Sequence, residues 1–147
     1  SMIESCKQDG LNAELTDALG FLRNIKDSTL NGVTAFQVVE HLPADYLVEL
    51  VRTAHGKIAP GGVIVLETVN PGSVSSLQNF YLDITHRNPI PSETLKFLAE
   101  SAGFREVTVH FSSPIPAHLK LQGADHNITK LNDMLFGPQD YAVIGWK

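Results

Sequence analysis

Apolar residues Leu47, Leu50, Val51, Ala54 and Ile58 recur at i, i+3, i+4, i+7 and i+11, the spacing of one helix face. Two almost wholly apolar runs flank them, "VTAFQVV" (33–39) and "VIVLETV" (63–69), as expected of parallel strands buried on both faces. "EVTVHF" (106–111) alternates, which predicts a third strand with Val107, Val109 and Phe111 inward. "YAVIGW" (141–146) predicts a fourth.

Punctuation divides the remainder. Residues 2–8 read as a short helix stopped by Gly10, and residues 13–16 as a brief strand. Asp17 is placed to N-cap a helix carrying Ala18, Phe21, Leu22 and Ile25 at helical spacing. Residues 27–32 are turn-like. "APGG" (59–62) ends the long helix, and Asn70-Pro71-Gly72 closes the strand that follows. Residues 73–91 form a long connection. Ser92 caps a helix with Glu93 in its first turn, Leu95, Leu98, Ala99 and Ala102 on one face, and Gly103 at its end. Residues 112–139 are loop, with a helix around Ile128, Leu131 and Leu135.

Strands alternating with helices predict an α/β fold with a mainly parallel sheet. No strong crossover helix joins the last two strands, so strand 141–146 is expected to run antiparallel at a mixed sheet's end. No repeat or linker interrupts the 147 residues, which fit one domain. With 43% hydrophobic and 18% charged residues the chain has the balance of a folded protein. Its net charge of −5 leaves no basic footprint for nucleic acid, and no apolar run reaches the length of a membrane span. The lone Cys6 excludes an internal disulfide and suits a cytoplasmic setting.

The candidate chemistry begins where "VTAFQVV" runs into Glu40-His41. A carboxylate and an imidazole side by side mark a strand's exit, where ligands of open α/β sheets gather; a strand that has simply surfaced reads the same way. A second polar group, Tyr81, Asp83, His86 and Arg87, lies in "NFYLDITHRNPIP" (79–91). Connections of that length are often lids, or else ordered loops pinned here by Phe80 and Tyr81. His55, His110, His118 and His126 lack zinc-site spacing. No metal site is expected.

Taken in order, "LTDALGFL", "VTAFQVVEHLP", "IAPGGVIVLETVNP" and "NFYLDITHRNPIPSETLKFLAESAGF" resemble the C-terminal two-thirds of class I S-adenosylmethionine-dependent methyltransferases. The last stretch is similar to the small-molecule and glycan enzymes found among bacterial polysaccharide genes. The resemblance implies a Rossmann-like methyltransferase sheet with helices on both faces, S-adenosylmethionine as cofactor, and a small-molecule or glycan methyl acceptor. It places Asp17 and Ala18 at the adenine, Gln37 and Val38 along the methionine arm, and Glu40 near the sulfonium. His41 and His86 become candidate catalytic bases, with Tyr81, Asp83 and Arg87 lining the acceptor pocket. Asp17 reads equally well as a plain helix cap.

One feature of such enzymes has no counterpart here. Gly10, Gly20 and Gly32 are isolated, and nothing matches the family's strand, Gly-x-Gly-x-Gly turn, helix and acid-ended strand. The resemblance therefore implies a truncated domain, inactive as this chain or serving as a binding or assembly module. It also implies a bare strand edge, opened by Val33 and closed by Val38, available for homodimer pairing.

Overall fold

The computed structural model describes residues 2–147. Helix α1 (Met2–Gln8) ends as predicted, with Gly10 at φ 78°. The stretch 13–16 that follows is not a strand. Leu15 is 87% exposed, and no described strand lies where it would pair. Helix α2 (Ala18–Asn24) is capped by Asp17, whose carboxylate accepts from the Gly20 N–H at 2.6 Å.

Strand β1 (Leu30–Phe36) begins and ends three residues earlier than the apolar run suggests. Gln37 takes φ 52° and turns the chain out of the strand, and residues 39–41 coil into a single 3-10 turn. Helix α3 (Ala44–Lys57) buries Leu47, Leu50, Val51 and Ala54, the predicted face. It passes without a loop into β2 (Ile58–Val69). "APGG" thus lies inside a strand rather than before one. The end of the chain draws it into the sheet: the Gly61 N–H donates to the Lys147 carbonyl at 2.7 Å, and the Lys147 N–H to Gly62 at 3.0 Å. The register against β1 slips at this bulge. A Cβ on Gly62 would stand 2.5 Å from Ile58 Cγ2 and 2.6 Å from the Asn31 carbonyl oxygen, so only glycine fits.

The connection 73–91 contains a helix the sequence pattern missed, α4 (Val74–Phe80), with Ser76 and Phe80 buried. Helix α5 (Ser92–Ser101) starts one position from its predicted cap: Pro91 is the N-cap and Ser92 the first helical residue. In strand β3 (Arg105–Ser112), Val107 is buried but Phe111 is exposed. The strand lies at the sheet's edge, and a register shift around Glu106, at φ 49°, breaks its alternation. Helix α6 (His126–Phe136) covers the predicted 128–135 segment. Strand β4 (Asp140–Trp146) completes the chain.

The sheet order is β1-β2-β4-β3. β1 pairs parallel with β2, and β4 lies antiparallel between β2 and β3. Three strands therefore point one way and only the last is reversed, the α/β arrangement expected. Ile64 and Leu66 of β2 and Val143 of β4 share one core with Leu22 of α2, Val51 of α3 and Leu95 and Ala99 of α5. The carboxyl ends of β1 and β2 open toward the 3-10 turn and the loop 81–91.

Candidate functional site

Glu40 sits in the 3-10 turn with no exposed surface. A buried carboxylate needs donors, and its Oε2 accepts from Thr68 Oγ1 of β2 at 2.8 Å. The Glu40 carbonyl accepts from the Arg87 N–H at 2.9 Å, which ties the loop 81–91 to the turn. Oε1 has no hydrogen-bond partner; His86 Nε2 stands 3.9 Å from it. Glu40's charge also adds to the burial that holds the Tyr141 phenol far above its ordinary value, and that hydroxyl donates to the Ile90 carbonyl at 2.7 Å.

His86 is fixed on three sides. Its ring packs between Phe80 and His41, each at a centroid distance of 4.6 Å, and Nδ1 lies 2.6 Å from the Phe80 carbonyl. His41 Nδ1 lies 3.0 Å from Thr85 Oγ1. The Thr85 hydroxyl donates to Asp83 Oδ1 at 2.7 Å, and the Thr85 N–H reaches the same oxygen at 2.8 Å. These two bonds, the hydroxyl's first, hold the Asp83 carboxyl below its usual range. Glu40, His41 and His86 each bring one donor atom within 4.8 Å of the others. The two histidines and the carboxylate singled out from sequence thus meet in one place, with Asp83 at their rim.

The other predicted residues divide. Tyr81, Asp83 and Arg87 are exposed on the loop 81–91, where Leu82 and Ile84 also stand in solvent. Glu40 is enclosed and faces His86 rather than open space. Gln37 is drawn the other way, its side-chain amide donating to Asp140 Oδ1 at 3.2 Å. Its left-handed backbone is strain stored at a strand exit, a common property of functional turns. Asp17 does cap its helix, and its second oxygen accepts from the Tyr46 hydroxyl at 2.6 Å. These bonds, Tyr46's first, keep its carboxyl below the usual range. Ala18 and Val38 line an apolar groove of about 520 Å³ along β1, together with Phe21, Val33, Ala35 and Phe36. Thr68 and Thr85 were missed as site residues. Thr68 reads as one more core position of an apolar strand; the Asp83-x-Thr85 spacing, a side-chain turn, was the available signal for Thr85.

A profile of the methyltransferase-domain family matches residues 4–109. In structure the chain is similar to an S-adenosylmethionine-dependent methyltransferase from Archaeoglobus fulgidus. The two are 36% identical with a TM-score of 0.90, over 99% of this chain and 80% of that one. Another from Thermotoga maritima aligns at 16% identity and a TM-score of 0.72, over 99% and 69% of the two chains. The phosphoethanolamine N-methyltransferase 2 of Haemonchus contortus, bound to phosphomonomethylethanolamine and S-adenosylhomocysteine, shares the fold at 14% identity and a TM-score of 0.64, over 98% and 39%. No curated protein matches the chain in sequence.

Proposed function

The chain belongs to the methyltransferase-domain family, and from that premise we propose that it serves methyl transfer to an oxygen or nitrogen of a small molecule or glycan. S-adenosylmethionine supplies, when bound, a methyl group made electrophilic by a positively charged sulfur. What falls to this chain is to position the acceptor and take its proton. The observation that carries the reading is the convergence of Glu40, His41 and His86 at the exit of β1. Thr85 accepts from His41 Nδ1–H, so His41 Nε2 is left to receive a proton. The loop 81–91 offers the acceptor both polar groups, Asp83 and Arg87, and apolar ones, Tyr81, Leu82 and Ile84.

The residues present fit the cofactor in part. Ala18, Val38 and the apolar groove beside β1 suit an adenosyl moiety. No Gly-x-Gly-x-Gly turn and no ribose-binding acid are among the 147 residues. Two missing charge-assisted hydrogen bonds cost on the order of 3–6 kcal/mol, which moves a micromolar affinity to millimolar. On this reading these residues alone bind the cofactor weakly and contribute chiefly the acceptor side of the site. No described helix is long and apolar enough to cross a membrane; a reducing cytoplasm suits the free Cys6.

A second reading, a binding or assembly module, draws on the free edge of β1. That strand pairs only with β2 among the described residues and carries neither Pro nor charge, so its edge can pair with a second copy. One experiment separates the two. Extending the chain with a strand, Gly-rich turn, helix and acid-ended strand should bring S-adenosylmethionine binding to micromolar and yield S-adenosylhomocysteine with hydroxyl or amine acceptors. His41→Ala or His86→Ala should then lower kcat by roughly 10²-fold. An extended chain that binds the cofactor yet transfers to no acceptor supports the module instead.

A further inference from the structure

A chain of hydrogen-bonded side chains starts on the loop 81–91 and ends on His41. The Thr85 hydroxyl lies 2.7 Å from Asp83 Oδ1 and 3.0 Å from His41 Nδ1, with a single hydrogen to give to one of them. Asp83 decides which. Its carboxyl is held below the usual range by the Thr85 hydroxyl first and the Thr85 N–H next, so it is ionised and can only accept. Thr85 therefore meets His41 with a lone pair. The hydrogen in the 3.0 Å contact belongs to His41 Nδ1, and neutral His41 keeps its own lone pair on Nε2. Main-chain bonds hold the arrangement together. The Thr85 N–H reaches Asp83 Oδ1 at 2.8 Å, and the Arg87 N–H, on the Glu40 carbonyl at 2.9 Å, ties the loop to the turn that carries His41.

We infer that Thr85 and Asp83 are positioning residues for His41: Thr85 fixes which ring nitrogen is bare, and Asp83 acts on the ring through Thr85. For Asp83 this is a role beyond contact with an acceptor, since its Oδ1 is taken up by Thr85. In catalysis the role rests on the methyl-transfer reading; the tautomer does not. In that reaction the acceptor's proton passes to His41 Nε2 as its oxygen or nitrogen bonds the methyl carbon, and the carbon–sulfur electron pair stays on sulfur. His41 becomes a cation that keeps its Nδ1–H on Thr85. Asp83 takes no proton; its negative charge, one hydroxyl away, favours the cation. His86 is held differently. The Phe80 carbonyl has no hydrogen to give, so the one in their 2.6 Å contact is on His86 Nδ1, and the main chain sets that ring without help from Thr85.

Nitrogen NMR of the 147-residue chain at about pH 8, above the ordinary imidazole range, reads the tautomer with no methyl donor or acceptor present. Wild-type His41 should carry its hydrogen on Nδ1 and leave Nε2 bare. Thr85→Ser should preserve that signature, and Thr85→Val and Asp83→Ala should lose it; both positions are exposed, so the variants keep the fold. His86 should keep its Nδ1–H in every form. A wild-type His41 protonated at Nε2 alone, or one unchanged in Thr85→Val or in Asp83→Ala, would overturn the assignment. So would a loss that strikes His86 equally, because the loop as a whole would then have moved. In the extended chain described above, Thr85→Val should lower kcat about 10-fold or more with KM within about twofold, and Thr85→Ser should restore it. Full turnover in Thr85→Val would overturn the positioning role and leave His41 as a base without it. No turnover even in the wild-type extended chain would count against the transfer reading, while the spectra would still decide the tautomer.

Discussion

Thr68 is the donor that lets Glu40 remain buried: its hydroxyl makes the carboxylate's single hydrogen bond. Thr68→Val keeps the shape and removes that bond, leaving neither carboxylate oxygen paired. The loss should be about 1.5–3 kcal/mol in urea denaturation; an unchanged midpoint would contradict this role of the Thr68 hydroxyl. His55 shows a second residue-level effect. Burial, with Lys147's charge next, lowers its pKa, and its ring packs edge-on to Phe104 at 4.9 Å. With the folded pKa depressed, the unfolded chain binds the proton more readily. Stability is then full above the ordinary histidine range near 6.5 and falls as pH drops through the folded value. Thermal melts from pH 7.5 to 5 should decline in the wild type and flatten in His55→Phe. Equal slopes would assign the decline to other groups.

At the level of elements, the bulge of β2 is the least forgiving piece. Gly62→Ala would press a methyl group against the Ile58 side chain and the Asn31 backbone, at a cost of about 1–3 kcal/mol. Gly61→Ala is strained by its φ of 81° but meets open space, so it should destabilise less. A calorimetric Tm that falls more for Gly61→Ala than for Gly62→Ala would contradict this ranking. The bulge also shows what was legible in the sequence. Helix α3, the apolar body of β2 and the reversed direction of β4 follow from local periodicity and connection length. "APGG" misleads because its partner is Lys147, 86 positions away from Gly61. Helix α4, "VSSLQNF", has too few apolar positions to announce itself; Ser76 is buried by its bond to the Gln139 carbonyl. Glu40 and His41 were legible as a strand exit, and His86 through the family resemblance. Their partners Thr68 and Thr85 are 28 and 44 residues distant, beyond any local pattern.

For the whole molecule, the open flank of the sheet governs behaviour. β1 is an edge strand, with Phe36 56% and Val38 39% exposed beside its groove. Apolar edges of this kind recruit other chains. Light scattering at micromolar concentration should find a homodimer that Phe36→Lys, within the strand, dissociates; a monomeric wild type would contradict pairing through this edge. On the proposed reading, the cofactor lies in the same groove of the single chain. Amide NMR during titration with S-adenosylmethionine tests that claim most directly. Shifts should concentrate at Ala18, Val38 and the turn at residues 39–41, with a millimolar midpoint. Shifts confined to another face would contradict the placement of the cofactor at the exit of β1. A low-micromolar midpoint would contradict the weak binding expected without a Gly-rich turn and a ribose-binding acid.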